Sequence, residues 1–264
     1  MESKVIEQAM YSYFKLLGKT AIVTGAGNGI GRGIAKVLAS LGANVVACDI
    51  EKDSVEETVA QITEQGLNAT AVYCDVRKYE DIQNVIKTAV DTYGTVDILV
   101  NDAAGCGGGV TIDNINEEEW MRLIELNLNS VYRFTMSVLP IMRAKKSGKI
   151  VNISSGAGIV GDFSDPHYAA AKGGVIAFSR RLPTRLQRII SILTVWLPGW
   201  LIPEWQESGH GKMKLQIRSG TEWDSRKISL TRLHIWLPQP AIIVPDRCFH
   251  LTAEPGCSNG ASHG

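Results

Sequence analysis

Five short apolar runs recur between residues 20 and 153 without the polar alternation of a half-exposed sheet: Ala21-Ile-Val23, Asn44-Val-Val-Ala-Cys48, Thr70-Ala-Val-Tyr-Cys74, Val96-Asp-Ile-Leu-Val100 and Lys149-Ile-Val-Asn-Ile153. Amphipathic stretches separate them. Gly29 to Leu41 stops at Gly42, Ser54 to Gln65 at Gly66 and Glu80 to Tyr93 at Gly94, while a long helical segment, Glu117 to Lys145, precedes the fifth run. A strand covered on both faces needs no polar side, and glycine past a helix supplies the left-handed residue that ends it. The pattern predicts a doubly wound α/β fold, Rossmann-like, around a parallel sheet. A single domain is expected over 18–264, after an N-terminal extension of residues 1–17.

Composition narrows the function classes. The 264 residues carry 27 basic and 27 acidic side chains, so neither a basic nucleic-acid footprint nor an acidic tail is present, and no nucleic-acid partner is expected. Five cysteines (48, 74, 106, 248 and 257) are odd in number and lack CxxC spacing. They argue against a disulfide framework or a metal site and for a reducing, cytoplasmic setting. The start, Met1-Glu-Ser-Lys-Val-Ile-Glu7, has acids in its first turn and no apolar core, unlike a secretory signal. The longest apolar stretch, Ile189 to Pro203, falls short of the roughly 20 residues that span a bilayer, so no membrane partner is expected.

Two constellations carry chemistry. Thr24-Gly25-Ala-Gly-Asn28-Gly29-Ile30-Gly31 follows the first strand and opens the first helix. Glycines there let the backbone approach a pyrophosphate, which the unpaired N–H groups of the helix start would receive; a plain tight turn is the alternative. Asp49, 24 residues after Gly25 at the end of the second strand, could accept both hydroxyls of an adenosine ribose, or could cap the next helix. Together these features point to dinucleotide binding. Asn28 and Ile50 stand where a cation would have to offset a 2′-phosphate beside Asp49, so NAD is expected over NADP.

The second constellation is Tyr168-Ala-Ala-Ala-Lys172, which on a helix places phenol and ammonium on one face. A neighbouring cation favours the phenolate and should lower the phenol pKa. A solvated helix face is the alternative. Ser154 and Ser155, at the carboxyl end of the fifth run, add hydroxyls where such folds bind ligands, or make a turn. His167 is expected to be a partly exposed loop residue, Cys106 to lie in a mobile glycine loop, and Cys48 and Cys74 to pack as small apolar groups.

These motifs, in this order, resemble the short-chain dehydrogenase/reductase family in its classical subgroup. The resemblance spans roughly residues 18 to 200. It rests on the Thr24–Gly31 turn, Asp49, Asp75-Val76, Asn101-Asp-Ala103-Ala, Asn127, Ser155, Tyr168-x-x-x-Lys172 and Pro198-Gly199. It implies hydride transfer between a nicotinamide and a small-molecule hydroxyl or carbonyl substrate. Tyr168 would be the general acid/base, Lys172 would lower its pKa and hold the nicotinamide ribose, and Ser155 would bind the substrate oxygen. Asn127 would hold a water linking Lys172 to solvent. Cofactor contacts would come from the Thr24–Gly31 turn, Asp49, Ile50, Asp75, Val76, Asn101, Ala103, Tyr168, Lys172, Pro198 and Gly199. The family usually forms homotetramers. An NAD-dependent secondary-alcohol dehydrogenase, acting on a hydroxysteroid, sugar alcohol or similar compound, is the leading expectation. An NADPH-dependent 3-oxoacyl-thioester reductase and a nucleotide-binding protein without turnover are the alternatives.

Departures concentrate in the last third. Asp102 stands where the family usually has Asn, and a carboxylate near the cofactor is unwelcome unless hydrogen-bonded. Seven of nine prolines and five of six tryptophans follow residue 180, and no periodicity is evident beyond Gly199. Pro183 interrupts an expected helix. Such a change inside a preserved length is what a shifted reading frame over 181–258 would produce.

Overall fold

The computed structural model describes residues 16–162, 164–180, 190–197, 202–208 and 212–218. The chain divides after Asp224 into two units, and every described residue lies in the first. Six parallel strands form one sheet in the order β3-β2-β1-β4-β5-β6: β1 (Thr20–Thr24), β2 (Asn44–Asp49), β3 (Ala69–Tyr73), β4 (Ile98–Asn101), β5 (Gly148–Ser155) and β6 (Ile190–Leu197). The crossovers are α1 (Gly29–Ser40), α2 (Lys52–Thr63) and α3 (Tyr79–Tyr93), then α4 (Glu117–Ile124) running through a π-helical turn (Glu125–Asn129) into α5 (Ser130–Ala144). A short α6 (Ala157–Val160) and then α7 (Pro166–Arg180) follow β5. The expected doubly wound fold is present.

Successive strand residues face opposite sides of the sheet. On one side Ile22, Val46, Leu99 and Ile150 pack with Val85 of α3 and Phe134, Val138 and Met142 of α5. On the other, Ala21, Val23, Val45 and Ala47 meet Ala35 and Ala39 of α1 and Val55 and Ile62 of α2. The large side chains among these are fully buried, each contributing about 1.5–3 kcal/mol. Small residues on α1 let it lie close to β1, which sets the glycine turn directly above the strand end.

Two expectations change. The segment Glu117 to Lys145 is not one regular helix. Within it the Asn127 amide donates to the carbonyl of Leu123 (3.0 Å), the Ser130 hydroxyl donates to that of Leu126, and the Ser130 N–H reaches back five residues to Glu125. Side chains that take the i−4 carbonyls favour the wider turn. Secondly, β7 (Ile202–Ser208) and β8 (Lys212–Arg218) pair antiparallel beyond Gly199, where no periodicity was expected. Lys212-Met-Lys-Leu-Gln-Ile-Arg218 does alternate polar and apolar residues with period two. Pro183, Pro198 and Gly199 lie outside the described residues. No helix among the described residues is long and apolar enough to cross a membrane.

Candidate active site

Parallel strands bring their carboxyl ends to one edge. There a cleft of about 810 Å³ is lined at one end by Asn28, Gly29, Ile30, Asp49, Ile50, Asp75 and Val76, and at the other by Ser155, Tyr168 and Lys172. Gly25 and Ala103 lie between.

At the first end, Gly25 takes φ +68°, and a Cβ there would fall 2.9 Å from the Ala103 backbone, so only glycine closes this turn. The Asn28 side chain caps α1 by accepting the Gly29 N–H at 2.7 Å. A Cβ on Gly29 would meet nothing within 4 Å, so the helix start faces open space. Asp49 accepts N–H groups from Gly27 (2.8 Å) and Glu51 (3.0 Å), one per oxygen, and retains lone pairs toward the cleft. It does not cap the next helix, since Glu51 holds that position. Asp75 is 5% exposed and takes a bidentate pair of hydrogen bonds from Arg77, both at 2.8 Å, which hold its carboxyl below the usual range. Arg77 also lines the cleft and was not anticipated. A cation two residues after an acid at a strand end was the available signal.

Three expected cofactor contacts do not reach the cleft. The Thr24 hydroxyl accepts N–H groups from Asp102 (3.1 Å) and Ala103 (3.0 Å), Gly31 packs on the carbonyl of Gly25, and the Asn101 amide donates to Asn152 across the sheet at 2.8 Å. Thr24 and Gly31 brace the turn from below, and Asn101 ties β4 to β5. Conversely, Asp102 does line the cleft.

At the other end, Lys172 is 2% exposed, donates to the carbonyl of Ile153 at 2.9 Å and stands 5.7 Å from the centre of the Tyr168 ring. Burial lowers its pKa to about 8, with Asp102 opposing. Tyr168 does not show the lowered pKa expected of it. Burial pushes the phenol above its ordinary value, and a hydrogen bond with Ser155 opposes that shift without overcoming it. The Ser155 hydroxyl accepts the Ala157 N–H at 3.2 Å, while Ser154 donates to the carbonyl of Lys172 at 2.8 Å and fixes α7 against β5. Asn127 clamps a loop: its amide donates to the Gly105 carbonyl (2.8 Å) and its oxygen accepts the Gly105 N–H (3.2 Å).

His167 is the clearest correction. It is wholly buried on α7, with both ring nitrogens lacking a hydrogen bond and Nε2 3.8 Å from Glu119. Its neighbour Tyr168 faces the cleft, while His167 packs beneath the glycine loop at Gly107. Cys106 is exposed on that loop, and Cys48 and Cys74 are buried. Their contact, together with burial, raises the Cys48 thiol. No group of three or more metal-ligating side chains occurs among the described residues.

An elongated nucleotide fits this arrangement. The helix start would receive its phosphates, Asp49 its ribose hydroxyls, and Tyr168 and Lys172 its nicotinamide half. A family model described as short chain dehydrogenase matches residues 19–203. The 3-oxoacyl-acyl-carrier-protein reductase FabG of Vibrio cholerae is 34% identical over 237 residues, 86% of this chain and 93% of that protein. A 3-oxoacyl-acyl-carrier-protein reductase of Synechocystis is 34% identical over 207 residues, covering 76% of this chain and 82% of its own length. Among solved structures, a short chain dehydrogenase from Mycobacterium smegmatis superposes with a TM-score of 0.67 at 35% identity, over 70% of this chain and 78% of the other. Actinorhodin polyketide ketoreductase, in a variant crystallised with NADPH, gives a TM-score of 0.66 at 36% identity, over 69% and 70% of the two chains.

Proposed function

This chain belongs to the short-chain dehydrogenase/reductase family, and on that premise we propose that it reduces the 3-oxo group of an acyl thioester to a 3-hydroxyl, with NADH as the nucleotide. The observation that carries the reading is the meeting of Ser155, Tyr168 and Lys172 at one end of the cleft, with burial keeping the phenol protonated. A protonated phenol is the form a reductase needs. The 3-oxoacyl and polyketide ketoreductases among the relatives support this substrate over a hydroxysteroid or a sugar alcohol.

When bound, the nicotinamide supplies the hydride to the carbonyl carbon. Tyr168 gives its Oη proton to the ketone oxygen, and Ser155 donates a hydrogen bond to the charge developing there. Lys172, an ammonium below pH about 8, offsets the phenolate left on Tyr168. Asn127 holds the loop over the site, and its link to solvent through a water is part of the same proposal. The preference for NADH rests on Asp49, whose carboxylate would face a 2′-phosphate.

Acetoacetyl thioester reduction with NADH and with NADPH tests this reading. Turnover with the higher kcat/KM for NADH is expected. A tenfold preference for NADPH overturns the cofactor choice, and oxidation of secondary alcohols without thioester reduction overturns the substrate. Nucleotide binding with no turnover on any substrate returns the protein to a binding role. The same reading carries a homotetramer, to be checked by sedimentation.

A further inference from the structure

Asp102 lies where the end of β4 crosses the start of α1. Its backbone N–H donates to the Thr24 hydroxyl, and its carboxylate lies against the first turn of the helix at Gly31. A Cβ on Gly31 would sit 2.8 Å from Asp102 Oδ2, so the carboxylate rests directly against the helix start. Of the first-turn N–H groups, that of Gly29 is taken by the Asn28 side chain. The helix terminus that would receive a pyrophosphate therefore has beside it a carboxylate that lines the same cleft and can carry a full negative charge.

Charged groups face Asp102 from two other elements. Asp49 at the end of β2 adds like charge, and Lys172 on α7 adds opposite charge; both line the same cleft. Tyr168 lines it from α7 as well.

We infer that Asp102 sets the affinity of this cleft for its dinucleotide, because its carboxylate lies against the helix start that would receive the pyrophosphate and repels it, and the nucleotide binds more tightly once that carboxylate is protonated. The inference rests on the nucleotide site of the proposed function and adds a control to it. Burial brings the Asp102 carboxyl up to about 6, so the competition switches within an accessible pH range. Protonation removes the charge and with it the repulsion. Binding an anion then favours proton uptake, and affinity rises as pH falls through this value.

Calorimetric titration with ADP-ribose, whose phosphates do not titrate near pH 6, tests this between pH 5 and 8 on the whole chain and on Asp102→Asn. Asn keeps the shape and the acceptor but carries no charge. The unaltered protein should lose about tenfold in affinity from pH 5 to pH 8. Asp102→Asn should bind with nearly constant affinity, and at pH 8 about tenfold more tightly than the parent. Asp102→Ser, smaller and equally uncharged, should also lack the slope. An unchanged slope in both variants, or no gain at pH 8, overturns the inference while leaving the site itself standing. A slope as described with no thioester reduction overturns the reaction and spares the inference. Absence of ADP-ribose binding at every pH overturns both.

Discussion

Tyr168 and Lys172 are each pushed by burial toward their neutral forms, the phenol upward and the ammonium down to about 8. Lys172 can compensate a forming phenolate only while charged, so the rate of carbonyl reduction should hold from pH 6 to 7.5 and decline above pH 8. A kcat/KM profile checks this. Tyr168→Phe should lower turnover by about 10²–10⁴ while NADH affinity, measured by fluorescence quenching, stays within about twofold. Asp102 offers a test in the nucleotide-free protein. Its folded pKa, about 6, lies above the unfolded value of 3.8, so its stabilising contribution is complete below pH 4 and is lost as pH rises through 6. The two-unit difference corresponds to on the order of 3 kcal/mol. Asp102→Asn should therefore melt several degrees higher than the parent at pH 7.5 and converge with it near pH 4. The residue types needed for this chemistry were legible in the sequence, as Tyr-x-x-x-Lys and an acid after β2. Their titration was not, because burial depends on what folds over them.

The helix bearing Tyr168 and Lys172 is placed by contact between glycines. A Cβ on Gly158 of α6 would fall 2.6 Å from the Gly173 nitrogen and the Lys172 carbonyl carbon, both backbone atoms of α7 that cannot rotate away. Gly158→Ala should displace α7, costing about 1–3 kcal/mol by urea unfolding and lowering kcat as the phenol shifts. Asn127 plays the corresponding part for the glycine loop, and its π-helical turn aims its amide at Gly105. Helix and strand order followed from periodicity and stop residues, which act over a few positions. The break at residues 125–129 did not, because the Asn127 amide donates to both the Leu123 and the Gly105 carbonyls and Gly105 lies 22 residues away. His167 shows the same limit. Its sequence surroundings predicted a partly exposed loop residue, and only the tertiary structure places it on α7 and buries it beneath the glycine loop.

Across the molecule, the sheet edge opposite the cleft is tied by Asp97. Its carboxylate accepts the Thr20 N–H at 3.0 Å and pairs with Lys145, with Lys19 at 3.6 Å. Burial pushes this carboxyl up, but these partners outweigh it and leave the pKa below the ordinary value. Its contribution to stability is present above the unfolded pKa and is lost as pH falls through the lower folded one. Asp97→Asn should cost about 1–3 kcal/mol at pH 7, with the deficit shrinking toward pH 3 and nucleotide affinity unaffected, as urea and binding titrations would show. Sequence alone determined the alternation of strand and helix, the parallel sheet and the chemical classes at its carboxyl edge, since each is written in local periodicity, stop residues and short motifs placed in order along the chain. Tertiary structure decided which of those residues face the cleft. Thr24, Gly31 and Asn101 turn into the frame while Asp102 and Arg77 turn outward, because that choice depends on backbone and charges brought together from positions far apart in the chain.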